Sequence, residues 1–144
     1  MNKEYILYIL VRNDLPSLNP GKAMAQAIHA GHLFSSKHHK DKAYKEWASD
    51  RGFGTTVTLS ADFHDINRLV GSHPAGEWVM DPTYPIIVPR DTYEFVDITK
   101  LSAPATFTKD GQSVILCRKE YTCAYLFGER NIFPQWLFDL PTYQ

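Results

Sequence analysis

Two segments of the sequence indicate the architecture of this chain. One is Tyr5-Ile6-Leu7-Tyr8-Ile9-Leu10-Val11, and the other, after a polar loop, is Asn19-Pro20-Gly21-Lys22-Ala23-Met24-Ala25-Gln26-Ala27-Ile28-His29-Ala30-Gly31-His32. The first is a continuous apolar run rich in β-branched and aromatic side chains, which is typical of a strand covered on both faces. In the second, Asn19 is a candidate N-cap and Pro20 fits the first helical position, so a helix is predicted from Pro20 to about Ser36. A buried strand, a short connection and a helix open an α/β fold.

Three later segments have the composition of strands. Residues 55–59 and 120–127 are rich in Thr, Val, Tyr and Phe, and residues 77–80 form a third run that Asp81-Pro82 is expected to end. Two short helices are predicted between the early strands. One passes through residues 46–48 and ends near Gly52, and the other covers residues 65–70 with Ser60 or Asp62 as its N-cap.

The segment from about residue 87 to 118 is an insert between the last two strands. Residues 93–98 and 106–108 alternate polar and apolar side chains, and Lys109-Asp110-Gly111-Gln112 carries the Asp-Gly signal of a tight hairpin. The insert is therefore expected to form a protruding β-hairpin arm. The aromatic ending at residues 133–138 is expected to dock on the body of the protein or on a partner chain.

Length and composition favour one cytoplasmic domain over residues 1–144. The chain is 44% hydrophobic, enough for a proper core, and it has neither a run long enough to cross a bilayer nor the layout of a secretory signal. Cys117 and Cys123 lack the spacing of a metal or redox motif, so they are expected to be reduced, and no metal or cofactor is predicted. The net charge of −1 means that any contact with nucleic acid needs a local basic patch.

The predicted first helix carries polar groups along one side. Lys22, Gln26 and His29 follow i, i+4, i+7 spacing, and Lys22 lies at the positive end of the helix dipole, which suits a phosphate or a developing oxyanion. The alternatives are a solvated lysine and a hydrogen-bonded core histidine. A Walker loop is excluded because Ala23 follows the lysine where that motif needs Ser or Thr.

These residues also carry a resemblance. Arg12-Asn13-Asp14-Leu15 together with Gly21-Lys22-x-x-Ala25-Gln26-x-x-His29-Ala30 closely resembles the type-2 peptidyl-tRNA hydrolase family. Residues 55–70 and 78–81, and Thr122, resemble that family more loosely. The resemblance implies a single α/β domain with a mixed, roughly four-stranded sheet between helices. It also implies hydrolysis of the ester that joins a peptide to the 3′ ribose of tRNA.

The resemblance further implies roles for individual residues. Asp81 would orient or deprotonate a water molecule, and Lys22 would stabilise the oxyanion or hold the terminal nucleotide. Gln26 and Thr122 would position the ester and the water by hydrogen bonds. The alternative for Asp81 is a purely structural role in a turn, since Asp-Pro-Thr is a sequence that commonly forms turns.

A basic segment supplies the expected contacts to tRNA phosphates. It comprises Lys37, His38, His39, Lys40, Lys42 and Lys45. Arg12 would help near the site, His29 and Thr83 complete the expected substrate-binding set, and each phosphate contact would weaken with salt. A solvated helix end is the alternative for the basic segment.

A second hypothesis assigns the chain to another class, a regulatory or binding protein on the same scaffold. The family commonly has a lysine where Pro20 stands, and it reads Ala-Gly-x-Thr where this chain has Pro82-Thr83-Tyr84-Pro85. The long insert is a further departure. Such a protein would engage tRNA or a protein partner through the insert, or form a homodimer through the insert or the aromatic tail.

Overall fold

The computed structural model describes residues 3–16, 18–95 and 97–143 of the 144. In chain order the elements are β1 (Tyr5–Arg12), α1 (Pro20–His38), α2 (Lys42–Ser49), β2 (Thr55–Ala61), α3 (Phe63–Ser72), β3 (Gly76–Pro89), β4 (Thr106–Phe107), β5 (Ser113–Glu129) and α4 (Gln135–Phe138). Short 3₁₀ segments lie at Asp50–Gly52, Arg90–Phe95, Ile98–Lys100 and Arg130–Ile132. Within the described ranges, no helix is both long and apolar enough to cross a membrane.

The strands form a mixed sheet in the order β2-β1-β5-β3, with β4 also paired to β5. β1 runs parallel to β2, with Leu10 opposite Leu59, and antiparallel to β5, with Leu7 opposite Phe127. The predicted α/β fold and its mixed sheet are confirmed.

Both faces of β1 are covered, as its continuous apolar sequence predicts. Ile6, Tyr8 and Leu10 pack on one face in a core with α3 and α4, while Leu7, Ile9 and Val11 pack on the other face against α1. Because side chains alternate along a strand, β1 contributes to two separate cores. The helices therefore sandwich the sheet here.

The described residues fall into two compact units. The first takes those of Met1–Asp14, Leu18–Val79 and Thr122–Gln144, and the second takes those of Leu15–Ser17 and Met80–Tyr121. The second unit starts before, and ends after, the insert boundaries that the sequence predicts at residues 87 and 118. The reason is that both flanking strands continue into it.

β3 differs most from its prediction. Asp81-Pro82 does not end the strand, which continues to Pro89. A proline cannot donate a ladder hydrogen bond, but β3 lies at the edge of the main strand order, where a strand tolerates proline. The alternating pattern of residues 93–98 does not produce a strand in the described residues there, since 3₁₀ segments occupy Arg90–Phe95 and Ile98–Lys100, and Val96 lies outside the described residues.

The predicted hairpin is confirmed within the second unit. Thr106 lies opposite Ile115 and Phe107 opposite Val114, and Gly111 adopts φ 69° in the connecting turn. The aromatic tail packs on the chain itself, because Phe133 and Leu137 are buried in the core beneath α3.

Candidate functional site

The amino end of α1 is capped as the sequence predicts. The Asn19 side chain accepts a hydrogen bond from the backbone N–H of Lys22 at 2.9 Å, and Pro20 occupies the first turn. Pro20 has no N–H, and the cap takes the N–H of Lys22. Of the first three helical residues, only Gly21 keeps an N–H without a described partner. Positive charge at this end comes chiefly from the half-buried Lys22 ammonium.

One turn further along α1, the side chain of Gln26 is buried and fixed. Thr122 Oγ1 donates a 2.7 Å hydrogen bond to Gln26 Oε1, and Cys123 Sγ donates to the backbone oxygen of Gln26 at 3.1 Å. Cys123 lies opposite Val11, so this contact is at the carboxyl end of β1. The structure thus brings together two of the predicted catalytic residues at the sheet edge where α/β folds bind ligands.

Thr122 itself is fully buried, and its hydroxyl proton is committed to Gln26. It therefore orients the amide, whereas the sequence assigned it direct contact with ester or water. Cys123 was missed as part of this arrangement. Burial raises the pKa of its thiol to about 12, so it is a structural hydrogen-bond donor and not a nucleophile.

Arg12, predicted to bind substrate, is engaged in a local structural cluster. Its Nε donates to Asp14 Oδ1 at 2.8 Å, its guanidinium lies 5.1 Å from the centroid of the Phe63 ring, and its side chain is only 12% exposed. The hydrogen bond from Arg12 holds the pKa of Asp14 below its ordinary value. Asp14 also accepts from the backbone N–H of Phe63 at 3.2 Å, which ties the end of β1 to the start of α3.

Asp81 and Thr83 belong to the second unit. Asp81 is half-buried on β3, and its Oδ1 accepts from the Thr83 backbone N–H at 2.9 Å and lies 3.5 Å from the Thr83 hydroxyl. This is the local hydrogen bond of an Asx turn, within a strand. Thr83 therefore orients the Asp81 carboxylate.

The basic segment lies at the opposite end of α1 from Lys22. The 16 residues from Lys22 to His38 span about 24 Å of helix at 1.5 Å per residue. Lys37 is ion-paired with Glu77, which also accepts from Tyr125, and His38 Nδ1 lies 2.8 Å from Asp41. These acidic partners, which sequence spacing does not reveal, neutralise part of the predicted patch.

Lys40 and His29 complete the predicted set, and both are exposed. His29 lies on the same side of α1 as Lys22, so it can reach a ligand that approaches this helix from solvent. Lys40 follows α1 at the far end. A cleft of about 890 Å³ lies near that end as well, lined by groups of both signs such as Lys42 and Glu46. It is distinct from the Gln26 region because Tyr5, at the amino end of β1, also lines it.

The first unit therefore offers an ammonium, a fixed amide and small neighbouring side chains at one sheet edge. Such groups can hold a polar, negatively charged ligand and stabilise an oxyanion. Within the described part of the chain, no cluster of three or more His, Cys, Asp or Glu side chains is placed to hold a metal. Neither a protein-family model nor a curated protein sequence matches the chain, so function is argued from this geometry and from the motifs.

Proposed function

We propose that the protein hydrolyses the ester between a peptide, or an N-blocked amino acid, and the 3′ end of tRNA. One observation carries the proposal: Lys22, at the amino end of α1, precedes by one turn a Gln26 side chain that Thr122 fixes at 2.7 Å. A lysine that is only solvated does not require a fixed amide one helical turn away. A buried and oriented amide beside it is typical of a site that is organised before its ligand arrives.

The proposed reaction is direct attack by water. The water oxygen bonds to the ester carbonyl carbon while its proton moves to a general base, the role that the resemblance to the hydrolase family assigns to Asp81. The resulting oxyanion is stabilised by the Lys22 ammonium. The bond to the ribose 3′ oxygen then breaks, that oxygen takes the proton back from Asp81, and the products are a free acid and tRNA.

The other residues act through these two or through contacts with tRNA. The Thr83 backbone N–H donates to one oxygen of Asp81 and so fixes the orientation of that carboxylate. The Gln26 side chain is buried and Thr122 sets its orientation, so Thr122 is a positioning residue. His29 is an exposed group beside Lys22 that suits contact with the terminal nucleotides.

The test is release of N-acetylated amino acid from N-acetyl-aminoacyl-tRNA. Wild type is compared with Lys22→Ala and Asp81→Asn, and each is matched to a variant with the same change in charge elsewhere, Lys109→Ala and Asp139→Asn. We expect wild-type release far above background, losses of about 10²–10³-fold for the two site variants, and nearly unchanged rates for the controls. Release at the background rate by folded wild-type protein contradicts the proposal.

One observation favours a binding protein as the second candidate. In the second unit the Phe107 ring is 54% exposed with the Arg90 guanidinium 4.9 Å from its centroid, and Ile87 is also exposed. An exposed aromatic and apolar surface is a common docking site. Loss of partner binding in Phe107→Ser, together with an inactive wild type, is the result that this alternative predicts.

A further inference from the structure

We infer that the double-helical acceptor stem of tRNA lies along α1, from Lys22 at the amino end to Lys40 and Lys45 beyond the carboxyl end. The inference rests on the proposed function and deepens it, because it assigns a path to the substrate. The charge, the exposed hydrogen-bonding groups and the length of α1 support it.

The charge pattern of α1 suits a polyanion. Residues 15–40 contain no Asp or Glu, although the chain as a whole has slightly more acidic than basic side chains. Three lysines and four histidines lie in the same range. An RNA backbone that follows α1 therefore meets no carboxylate of that helix itself, and the acidic groups beside it, Glu77 and Asp41, lie at its carboxyl end, where they pair with Lys37 and His38.

The solvent face of α1 combines small, polar and apolar side chains. Gly21, Ala25 and Ser36 are exposed small residues on this face, and the larger side chains of Met24 and Ile28 project from it with 64% and 71% exposure. His29 and His32 are exposed beside them as hydrogen-bonding groups. The shallow minor groove of an RNA helix presents 2′-hydroxyl and phosphate groups, which such a surface can contact without sequence preference.

Two lysines at the far end are available for phosphates. Lys40 and Lys45 are exposed, and neither forms an ion pair with another described residue, whereas Lys37 pairs with Glu77 and Lys42 lies 3.8 Å from Glu46. Lys40 and Lys45 thus carry the part of the basic segment that remains unneutralised.

The geometry predicts a length requirement. With the ester at Lys22, a phosphate must lie at least about 24 Å away to reach the far lysines. A short 3′ fragment cannot span this distance, while a complete acceptor stem can. The lysines should therefore matter for long substrates and not for short ones.

The experiment compares three substrates carrying the same N-acetylated amino acid: full tRNA, a hairpin that retains the acceptor stem, and the single-stranded 3′ trinucleotide. Lys40→Gln/Lys45→Gln is expected to lower kcat/KM roughly tenfold for full tRNA and for the hairpin. The value of kcat/KM for the trinucleotide should not change. The slope of log kcat/KM against log salt should become shallower by about 1.5 for the long substrates, because two phosphate contacts are lost.

Arg68→Gln/Arg130→Gln is the matched control. It removes two positive charges from the first unit, on the α3 and α4 side of the sheet. The value of kcat/KM for each of the three substrates should change by no more than about twofold. Dissociation constants for deacylated tRNA, measured by fluorescence anisotropy, give a readout that does not depend on turnover.

The outcomes separate the two proposals. If wild type hydrolyses none of the substrates but loses tRNA affinity in Lys40→Gln/Lys45→Gln and not in the control, the hydrolase proposal fails and the binding path stands. If the lysine variant lowers kcat/KM equally for all three substrates, or for none of them, the acceptor stem does not lie along α1. The inference also fails if the protein binds no RNA but self-associates through the exposed Met24 and Ile28, as shown by loss of association in Met24→Ser/Ile28→Ser.

Discussion

Thr122 Oγ1 donates a 2.7 Å hydrogen bond to Gln26 Oε1 and so joins β5 to α1 across 96 residues of sequence. Both side chains are buried, so removing the donor takes a hydrogen bond away from a buried acceptor. Thr122→Val keeps the shape and removes the hydroxyl, and it should lower the free energy of unfolding by about 1–3 kcal/mol. Urea denaturation measures this.

Thr122→Ser is the matched control for that experiment, because it keeps the hydroxyl and loses only a methyl group. It should cost about 1 kcal/mol of stability and retain more activity than Thr122→Val. If the two variants lose activity equally, the hydroxyl does not position Gln26. A fall in kcat larger than the rise in KM for Thr122→Val is the signature of a misoriented amide.

A second prediction concerns the two groups with assigned chemical roles. If Lys22 and Asp81 act in one step on one ester, their effects on kcat/KM are not independent. The fold-loss of kcat/KM in Lys22→Ala/Asp81→Asn should then be much smaller than the product of the two single-variant losses. Each single variant is expected to lose about 10²–10³-fold in kcat/KM. Fully multiplicative losses in the double variant would show that the two groups act independently and would remove the basis for the mechanism.

Local sequence signals predicted much of the first unit. The apolar run at residues 5–11 predicts a strand buried on both faces. The Asn19-Pro20 cap predicts where α1 begins. Gln26 and Thr122 were both chosen as site residues. Their direct bond was not predicted, because a contact across 96 residues depends on strand pairing that no local pattern contains.

The sequence reasoning failed where long-range contacts override local preference. Pro82 favours the end of a strand, yet β3 continues through it because an edge strand needs fewer ladder hydrogen bonds. Local sequence does not reveal the ion pair of Lys37, because its partner, Glu77, is 40 residues away. The contacts of Arg12 with Phe63 and Asp14 are also beyond local prediction, because only the tertiary structure brings Phe63 beside it.

A third prediction is selective labelling of the cysteines. Cys123 is fully buried and burial raises its thiol pKa to about 12, whereas Cys117 is partly exposed. Iodoacetamide at pH 8 should modify Cys117 in the native protein and Cys123 only after unfolding, because the thiolate is the reacting form. Mass spectrometry of the peptides measures both sites. Cys117→Ser should leave a native protein that takes up almost no label, and rapid labelling of that variant would contradict the buried position of Cys123.

A fourth prediction concerns acid stability. The hydrogen bond from Arg12 lowers the pKa of Asp14, so folding favours the ionised carboxylate. The stabilisation is complete above the ordinary value of 3.8 and is lost as pH falls through the lower folded value. It should amount to less than about 1 kcal/mol because the side chain is 38% exposed. Asp14→Asn should therefore lose less stability than wild type when pH falls below 3.8.

Arg12→Gln serves as the partner variant in that titration. It should show the same reduced dependence on acid, and Arg12→Gln/Asp14→Asn should behave like either single variant, because both remove one interaction. Unfolding by urea at a series of pH values gives the comparison. If the free energy of unfolding of Asp14→Asn depends on pH as steeply as that of wild type, another carboxylate accounts for the acid sensitivity.

The fifth prediction distinguishes two glycines in the turn that precedes β2. Gly52 (φ +85°) and Gly54 (φ +74°) both occupy the left-handed region, but a Cβ on Gly52 meets nothing within 4 Å, whereas one on Gly54 would lie 2.3 Å from the Trp47 ring. Gly52→Ala should cost about 1–2 kcal/mol for backbone strain alone. Gly54→Ala should cost about 1–3 kcal/mol more, because the ring must move and its indole N–H donates a 2.8 Å hydrogen bond to Thr55. Urea unfolding followed by tryptophan fluorescence measures both variants, and equal losses would show that Trp47 does not pack over the turn.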